Sequence, residues 1–166
     1  MTRYWLTTHW PELVVDPHEI RYVYIQDRFY NDVKTMNAGD RILVYEFESG
    51  PPEKMVENGK TVLRSRHKGR QAIVWDSRVT ESLRPRKDYS PQTFGERDIK
   101  NFNWMATTDD HRPMDVPRPR VNEVLEYSPK NSFRGFNGGR GIKEISFAQY
   151  TELTKAAQIP SAPLSK

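Results

Sequence analysis

The chain of 166 residues contains no cysteine. That excludes disulfides, thiolate metal sites and a cysteine nucleophile. No run approaches the ~18 consecutive apolar residues that a membrane-spanning helix needs. The opening Met1-Thr2-Arg3-Tyr4-Trp5 lacks the basic, apolar, then small pattern of a signal peptide. A cytoplasmic location is the expectation from these absences. The four histidines, His9, His18, His67 and His111, form no HExxH or other close pair. There is no GxSxG elbow, no HNH or PD-(D/E)xK pattern and no phosphate-binding glycine loop. Gly138-Gly139-Arg140-Gly141 is glycine-rich but lacks the lysine and the strand-to-helix setting. No set of residues takes the roles of base, nucleophile and oxyanion donor. The expectation is therefore a binding module, with no catalytic residue, cofactor or metal.

What is present is basic charge and aromatic surface. The formal net charge is +4, and the excess is unevenly spread. The stretch Lys60–Arg70 holds Lys60, Arg64, Arg66, Lys68 and Arg70 without an acid, and 130–143 holds Lys130, Arg134, Arg140 and Lys143 without one. Such runs attract a phosphate backbone through counterion release. The acids Glu46, Glu48, Glu53 and Glu57 temper this. The chain also has 4 Trp, 8 Tyr and 7 Phe. Trp5, Tyr45 and Phe47 lie in apolar stretches and fit a core. Trp10 stands beside His9 before Pro11, Phe29 and Tyr30 lie in a polar stretch, and Phe133 and Phe136 interrupt a basic loop. Aromatic faces near cations suit base stacking.

The element pattern predicts one α+β domain over residues 1–157 and a flexible tail over 158–166. Tyr4–Thr8, Arg41–Phe47, Gln71–Glu81 and Phe102–Thr108 read as strands. Arg41–Phe47 and Gln71–Glu81 are expected to pair across an exposed excursion that turns at Asn58-Gly59. Residues 16–36 read as loop plus one or two short helices, 37–40 as a turn, and 85–98 as a linker. Pro113, Pro117 and Pro119 argue against a regular element over 109–120. A short helix is expected over 121–127. The closing helix over 146–157 carries a capping box at Ser146 and Gln149, with Phe147, Tyr150, Leu153 and Ala157 on its packing face. Several strands with few short helices suggest a mixed sheet curling into a small barrel.

Tyr4-Trp5-Leu6 followed by Pro11, then Asn31 leading into Met36 and Gly39-Asp40, then a strand reaching Tyr45, resembles the EVE domain family. That family is PUA-like and related to YTH and ASCH domains. The order of the later elements, through Trp104–Thr107 to Phe147 and Tyr150, is similar, so the resemblance covers most of residues 3–155. It implies a curled β-barrel with flanking helices and an aromatic pocket that receives a flipped, often modified, base of DNA or RNA. Mapped onto this chain, the pocket residues would be His9, Trp10, Phe29, Tyr30, Asn31, Tyr45 and Trp104. Backbone contacts would fall to Lys60, Arg64, Arg66, Lys68, Arg70, Arg134 and Arg140. His9-Trp10, Phe29-Tyr30 and Glu46-Phe47 stand where the family has more polar residues, with Trp10 and Tyr30 as replacement walls. Two other readings stay open: a small ASCH-like RNA or nucleotide hydrolase using Glu46, Lys54 and Asp76, and a protein-interaction module.

Overall fold

The computed structural model describes residues 1–9, 21–47, 53–64, 69–89, 102–127 and 141–155. The strands are β1 (Tyr4–His9), β2 (Tyr22–Ile25), β3 (Arg41–Glu46), β4 (Glu53–Glu57), β5 (Lys60–Arg64), β6 (Ala72–Val79), β7 (Arg84–Pro85), β8 (Trp104–Pro117) and β9 (Ile142–Ile145). The helices are α1 (Tyr30–Val33), α2 (Arg118–Val124) and α3 (Phe147–Lys155), with 3-10 turns over Asp27–Phe29 and Arg86–Asp88. Seven strands form one mixed sheet in the order β2-β8-β6-β3-β1-β9, with β7 pairing on β8. Only β1 and β3 run parallel among its pairs. None of the helices described is long and apolar enough to cross a membrane.

Both faces of the central strands are covered, which is why Arg41–Tyr45 reads as a nearly unbroken apolar run. All six residues of β3 are buried. One face carries Leu6, Leu43, Tyr45 and Ile73, against Val121 and Leu125 of the α2 segment and Leu153 of α3. The other carries Trp5, Ile42 and Val79, closed by Val23 and Ile25 of β2 with Phe29, Val33 and Met36. The expected pairing of β3 with β6 is present and antiparallel.

The curl is made by β8, and here the proline argument fails. Trp104–Thr107 pairs with β2, while Thr108–Pro117 continues along β6. The strand bends at two register shifts against β6, and Asp110 has a positive φ of 46° at one of them. Pro113 lies next to the other shift, where a missing N–H is tolerated. Pro117 precedes α2 and Pro119 occupies its first turn, whose N–H groups have no intrahelical partner anyway. The short strand β2 lies inside a stretch that reads as loop and helix, because four residues carry too little periodicity to declare themselves.

Two sequence motifs are joined by one buried carboxylate. Asp40 Oδ2 accepts the indole N–H of Trp5 and the backbone N–H of Asn37, each at 3.0 Å, and Oδ1 accepts the backbone N–H of Arg3 at 3.0 Å. Gly39 takes φ +93°, a left-handed conformation that glycine adopts without a Cβ penalty. Its N–H then reaches Val79 O at 2.8 Å, and Val79 N–H returns to Asp40 O at 2.8 Å. The Trp in the first strand and the Gly-Asp before β3 thus form a single clasp.

The closing helix is capped as the sequence implies. Gln149 N–H donates to Ser146 Oγ at 3.0 Å, and Ser146 N–H donates to Gln149 Oε1 at 2.9 Å. Leu153 is buried, but Phe147 is largely exposed with its ring tilted against Tyr4 at 5.4 Å, so it does not belong to the packing face as expected. Ala157 and the tail over 158–166 lie outside the described residues.

Candidate nucleic-acid interface

Two of the aromatic residues picked from the sequence meet at the surface. Tyr30 opens α1 and Trp104 opens β8, and their rings stack with centroids 3.9 Å apart and planes 22° apart. Trp104 also lines a cleft of about 620 Å³, together with Asp27, Asn103, Pro85, Arg86, Lys87 and Tyr89. Its polar groups are interlocked. Asn103 Nδ2 donates to Asp27 at 2.6 Å, Arg86 Nη2 donates to Asn103 Oδ1 at 3.4 Å, and Arg86 N–H donates to Asn103 O at 2.7 Å. The cleft therefore sets a carboxylate and a guanidinium on either side of one amide, beside an aromatic surface. That combination offers an acceptor, a cation and a stacking wall in a fixed arrangement.

Tyr89 closes one side and is itself anchored. Its hydroxyl donates to Glu81 and lies 3.3 Å from Met105 O. Burial and then the Glu81 hydrogen bond push the phenol well above the usual tyrosine range. Arg84 lies over the Tyr89 ring, 5.4 Å from its centroid.

The rest of the expected pocket is dispersed. Phe29 and Tyr45 belong to the core, in two different clusters, so neither forms a ligand wall. Tyr45 points to the helix-covered face because it lies two residues beyond Leu43 along β3, on the same side of the strand. Phe29 is drawn inward by the 3-10 turn that precedes α1. Asn31 is exposed on α1. His9 ends β1 in register with Glu46, but its side chain, and Trp10 entirely, lie outside the described residues. Of the expected backbone contacts, Lys60 starts β5 and is exposed, Arg64 ends β5, and Arg70 is exposed with an ion pair to the buried Glu46 at 3.8 Å. Arg66, Lys68, Arg134 and Arg140 lie outside the described residues. Asp27, Arg86 and Asn103 were not singled out from the sequence; Asn103 adjoins Trp104, while Arg86 sits in a stretch that reads as linker.

The residues considered for hydrolysis do not converge. Asp76 is locked on the helix-covered face: Arg41 Nε donates to it at 2.9 Å and Tyr150 Oη at 2.7 Å. Arg41 Nη2 approaches the same carboxylate at 2.7 Å as an ion pair without a directed hydrogen bond. Burial and then Asp76 push the Tyr150 phenol up to about 12. Glu46 is engaged by Arg70, and Lys54 lies on the β4–β5 excursion. A Ser–His contact does exist, Ser77 Oγ to His111 Nδ1 at 2.8 Å. Ser77 is only 1% exposed, so its hydroxyl is not presented to solvent, while His111 is partly buried. Burial, assisted by Arg21, lowers the His111 pKa against the opposing pull of Asp109. Among the described residues no three His, Asp or Glu side chains are grouped to hold a metal ion.

No protein-family model matches the sequence, and no curated protein is detectably similar to it. Solved structures are similar in fold. A hypothetical protein from Leishmania major aligns with a TM-score of 0.55 at 14% identity, over 93% of this chain and 94% of that one. The ASCH protein from Zymomonas mobilis aligns with a TM-score of 0.54 at 10% identity, over 93% and 96%. The fold is the one these two structures share, a curled mixed sheet with short flanking helices. Human THYN1, solved in complex with DNA containing 5-methylcytosine, is similar with a TM-score of 0.47 at 10% identity, over 90% and 94%. In this fold the Tyr30–Trp104 pair lies where β8 meets β2, with α1 alongside.

Proposed function

We propose that this chain is a nucleic-acid-binding module that receives one unstacked base in the cleft beside Trp104. The observation that carries this reading is the cleft itself. A stacked aromatic pair adjoins an interlocked Asp27–Asn103–Arg86 set. Aromatic surface holds the face of a base, worth roughly 1–3 kcal/mol by alanine substitution. Asp27 supplies an acceptor for an exocyclic amine such as cytosine N4 or adenine N6, and Arg86 supplies donors for a carbonyl or ring nitrogen. Exposed Lys87 and Arg84 flank the cleft and suit the phosphates on either side. The resemblance to EVE domains favours a modified base, and the cleft leaves room for a substituent beyond a standard ring.

The test is affinity for short single-stranded oligonucleotides carrying plain or modified bases. Trp104→Ala is expected to lose roughly 1–3 kcal/mol of binding. Because Trp104 is half-buried, Arg86→Ala serves as a second variant that leaves the core intact. Unchanged affinity in both variants would place the base elsewhere.

A further inference from the structure

The β4–β5 hairpin forms its own two-stranded sheet apart from the main one. It turns through Asn58 and Gly59, with φ of 50° and 75°, the left-handed pair that a tight two-residue turn requires. Register partners in an antiparallel pair share a face, and faces alternate along each strand. Lys54 with Leu63 and Val56 with Thr61 therefore lie on one face. The other face takes Met55 with Val62 and Glu57 with Lys60, so Glu57 is registered opposite a base. The first face has no acid at all and is exposed throughout, with Val56 at 77% and Leu63 at 64%.

Exposed aliphatic side chains on a ribbon this small call for an occupant. We propose that the ribbon docks in the major groove of duplex DNA, with Val56, Thr61 and Leu63 against base edges and Lys54 reaching a phosphate or a guanine. This rests on the nucleic-acid reading above and extends it to a second surface. Charge favours it. The one charged side chain on the docking face is Lys54, so among the described residues that face meets a phosphate backbone with a cation and no carboxylate. Shape favours it as well. The B-form major groove, about 12 Å wide, admits a two-stranded ribbon and displays thymine methyl groups to aliphatic side chains. The deep, narrow major groove of duplex RNA does not admit one. A single strand would call for aromatic stacking, and a membrane interface for Trp or Phe; residues 53–64 contain no aromatic residue.

The experiment compares the full chain with the double variant Val56→Glu/Leu63→Glu on a B-form DNA duplex, the matching single strand, a duplex RNA and anionic lipid vesicles. Both positions are exposed, so thermal unfolding should stay unchanged. A second double variant, Val56→Thr/Leu63→Thr, keeps β propensity and charge while removing aliphatic contact. The glutamate pair is expected to weaken duplex DNA binding about tenfold or more, through apposed like charges. The threonine pair should weaken it by a smaller factor, with single-strand affinity unchanged in both. Equal duplex affinity in all three proteins would overturn the proposal, as would parallel losses on duplex RNA or vesicles. A wild-type chain that binds single strands but no duplex refutes the ribbon and leaves the base cleft standing. No binding to any nucleic acid refutes both.

Discussion

Removing the Asp40 carboxylate tests how the first strand is tied to the strand beside it. Asp40→Ala leaves the Trp5 indole N–H without an acceptor, in a side chain that is fully buried. An unsatisfied buried donor costs about 1–3 kcal/mol. The backbone N–H groups of Arg3 and Asn37 are only partly buried and turn to water, at about 0.5–1 kcal/mol each. The sum is about 2–5 kcal/mol, or roughly 4–20 °C in Tm for a chain of this length. Asp40→Asn is no rescue, because an amide offers one acceptor oxygen where the carboxylate offers two. Its NH2 would face either the Trp5–Asn37 donors or Arg3, so a loss of about 1–2 kcal/mol is expected. Urea unfolding of Asp40→Ala, Trp5→Phe and the double variant closes a thermodynamic cycle, and a coupling of about 1–2 kcal/mol between the two positions is expected. A loss below about 1 kcal/mol in Asp40→Ala, or no coupling to Trp5, would show that the clasp contributes packing alone.

The helix-covered face and the partly buried His111 give further tests. Tyr150→Phe removes a donor from the buried Asp76 carboxylate while keeping the ring against Tyr4; a loss of about 1–3 kcal/mol is expected in denaturant unfolding. His111 has a folded-state pKa lowered by burial, so the unfolded chain takes up its proton first. Stability should therefore fall as pH drops below the ordinary histidine value of about 6.5, and level off below the lowered folded value. His111→Gln should flatten that part of the unfolding-against-pH curve, and an unchanged slope would assign it to other groups. For the base cleft, Asn103→Ala should weaken oligonucleotide binding by freeing both Asp27 and Arg86, with little change in Tm since these bonds lie near the surface; normal affinity would show that they need no positioning.

The frame of the fold was legible where residue pattern and local chemistry coincide. Arg41–Glu46 is apolar because both its faces are covered, and the Asn58-Gly59 turn and the Ser146–Gln149 box are short-range devices that declare themselves in a few residues. What was hidden depends on long-range geometry. Pro113 and Pro117 argue against a strand by local propensity, yet β8 carries them because Pro113 adjoins a register shift and Pro117 is its last residue, before α2. Strand β2 is four residues long and gains its identity from pairing with β8, a partner some eighty residues away.

The candidate site was legible in part for the same reason. Tyr30 could be picked as an aromatic residue in polar company and Trp104 through the family resemblance, but nothing in their spacing says that their rings stack. Phe29 stands in equally polar company and is core, because a 3-10 turn directs successive side chains in directions about 120° apart. Polar neighbours in sequence therefore report on the turn as a whole and not on any one side chain within it. Arg86 and Asn103 become a pair only once β7 lies antiparallel on β8, which brings a segment that reads as linker against the start of that strand. The basic run divides in a similar way. Alternation along β5 places Lys60 opposite Glu57 on one face of the hairpin, while Lys54, which lies outside the run, shares the acid-free face with Val56, Thr61 and Leu63. Charge density along the chain thus singles out a segment, but pleat and register decide which of its side chains share a face.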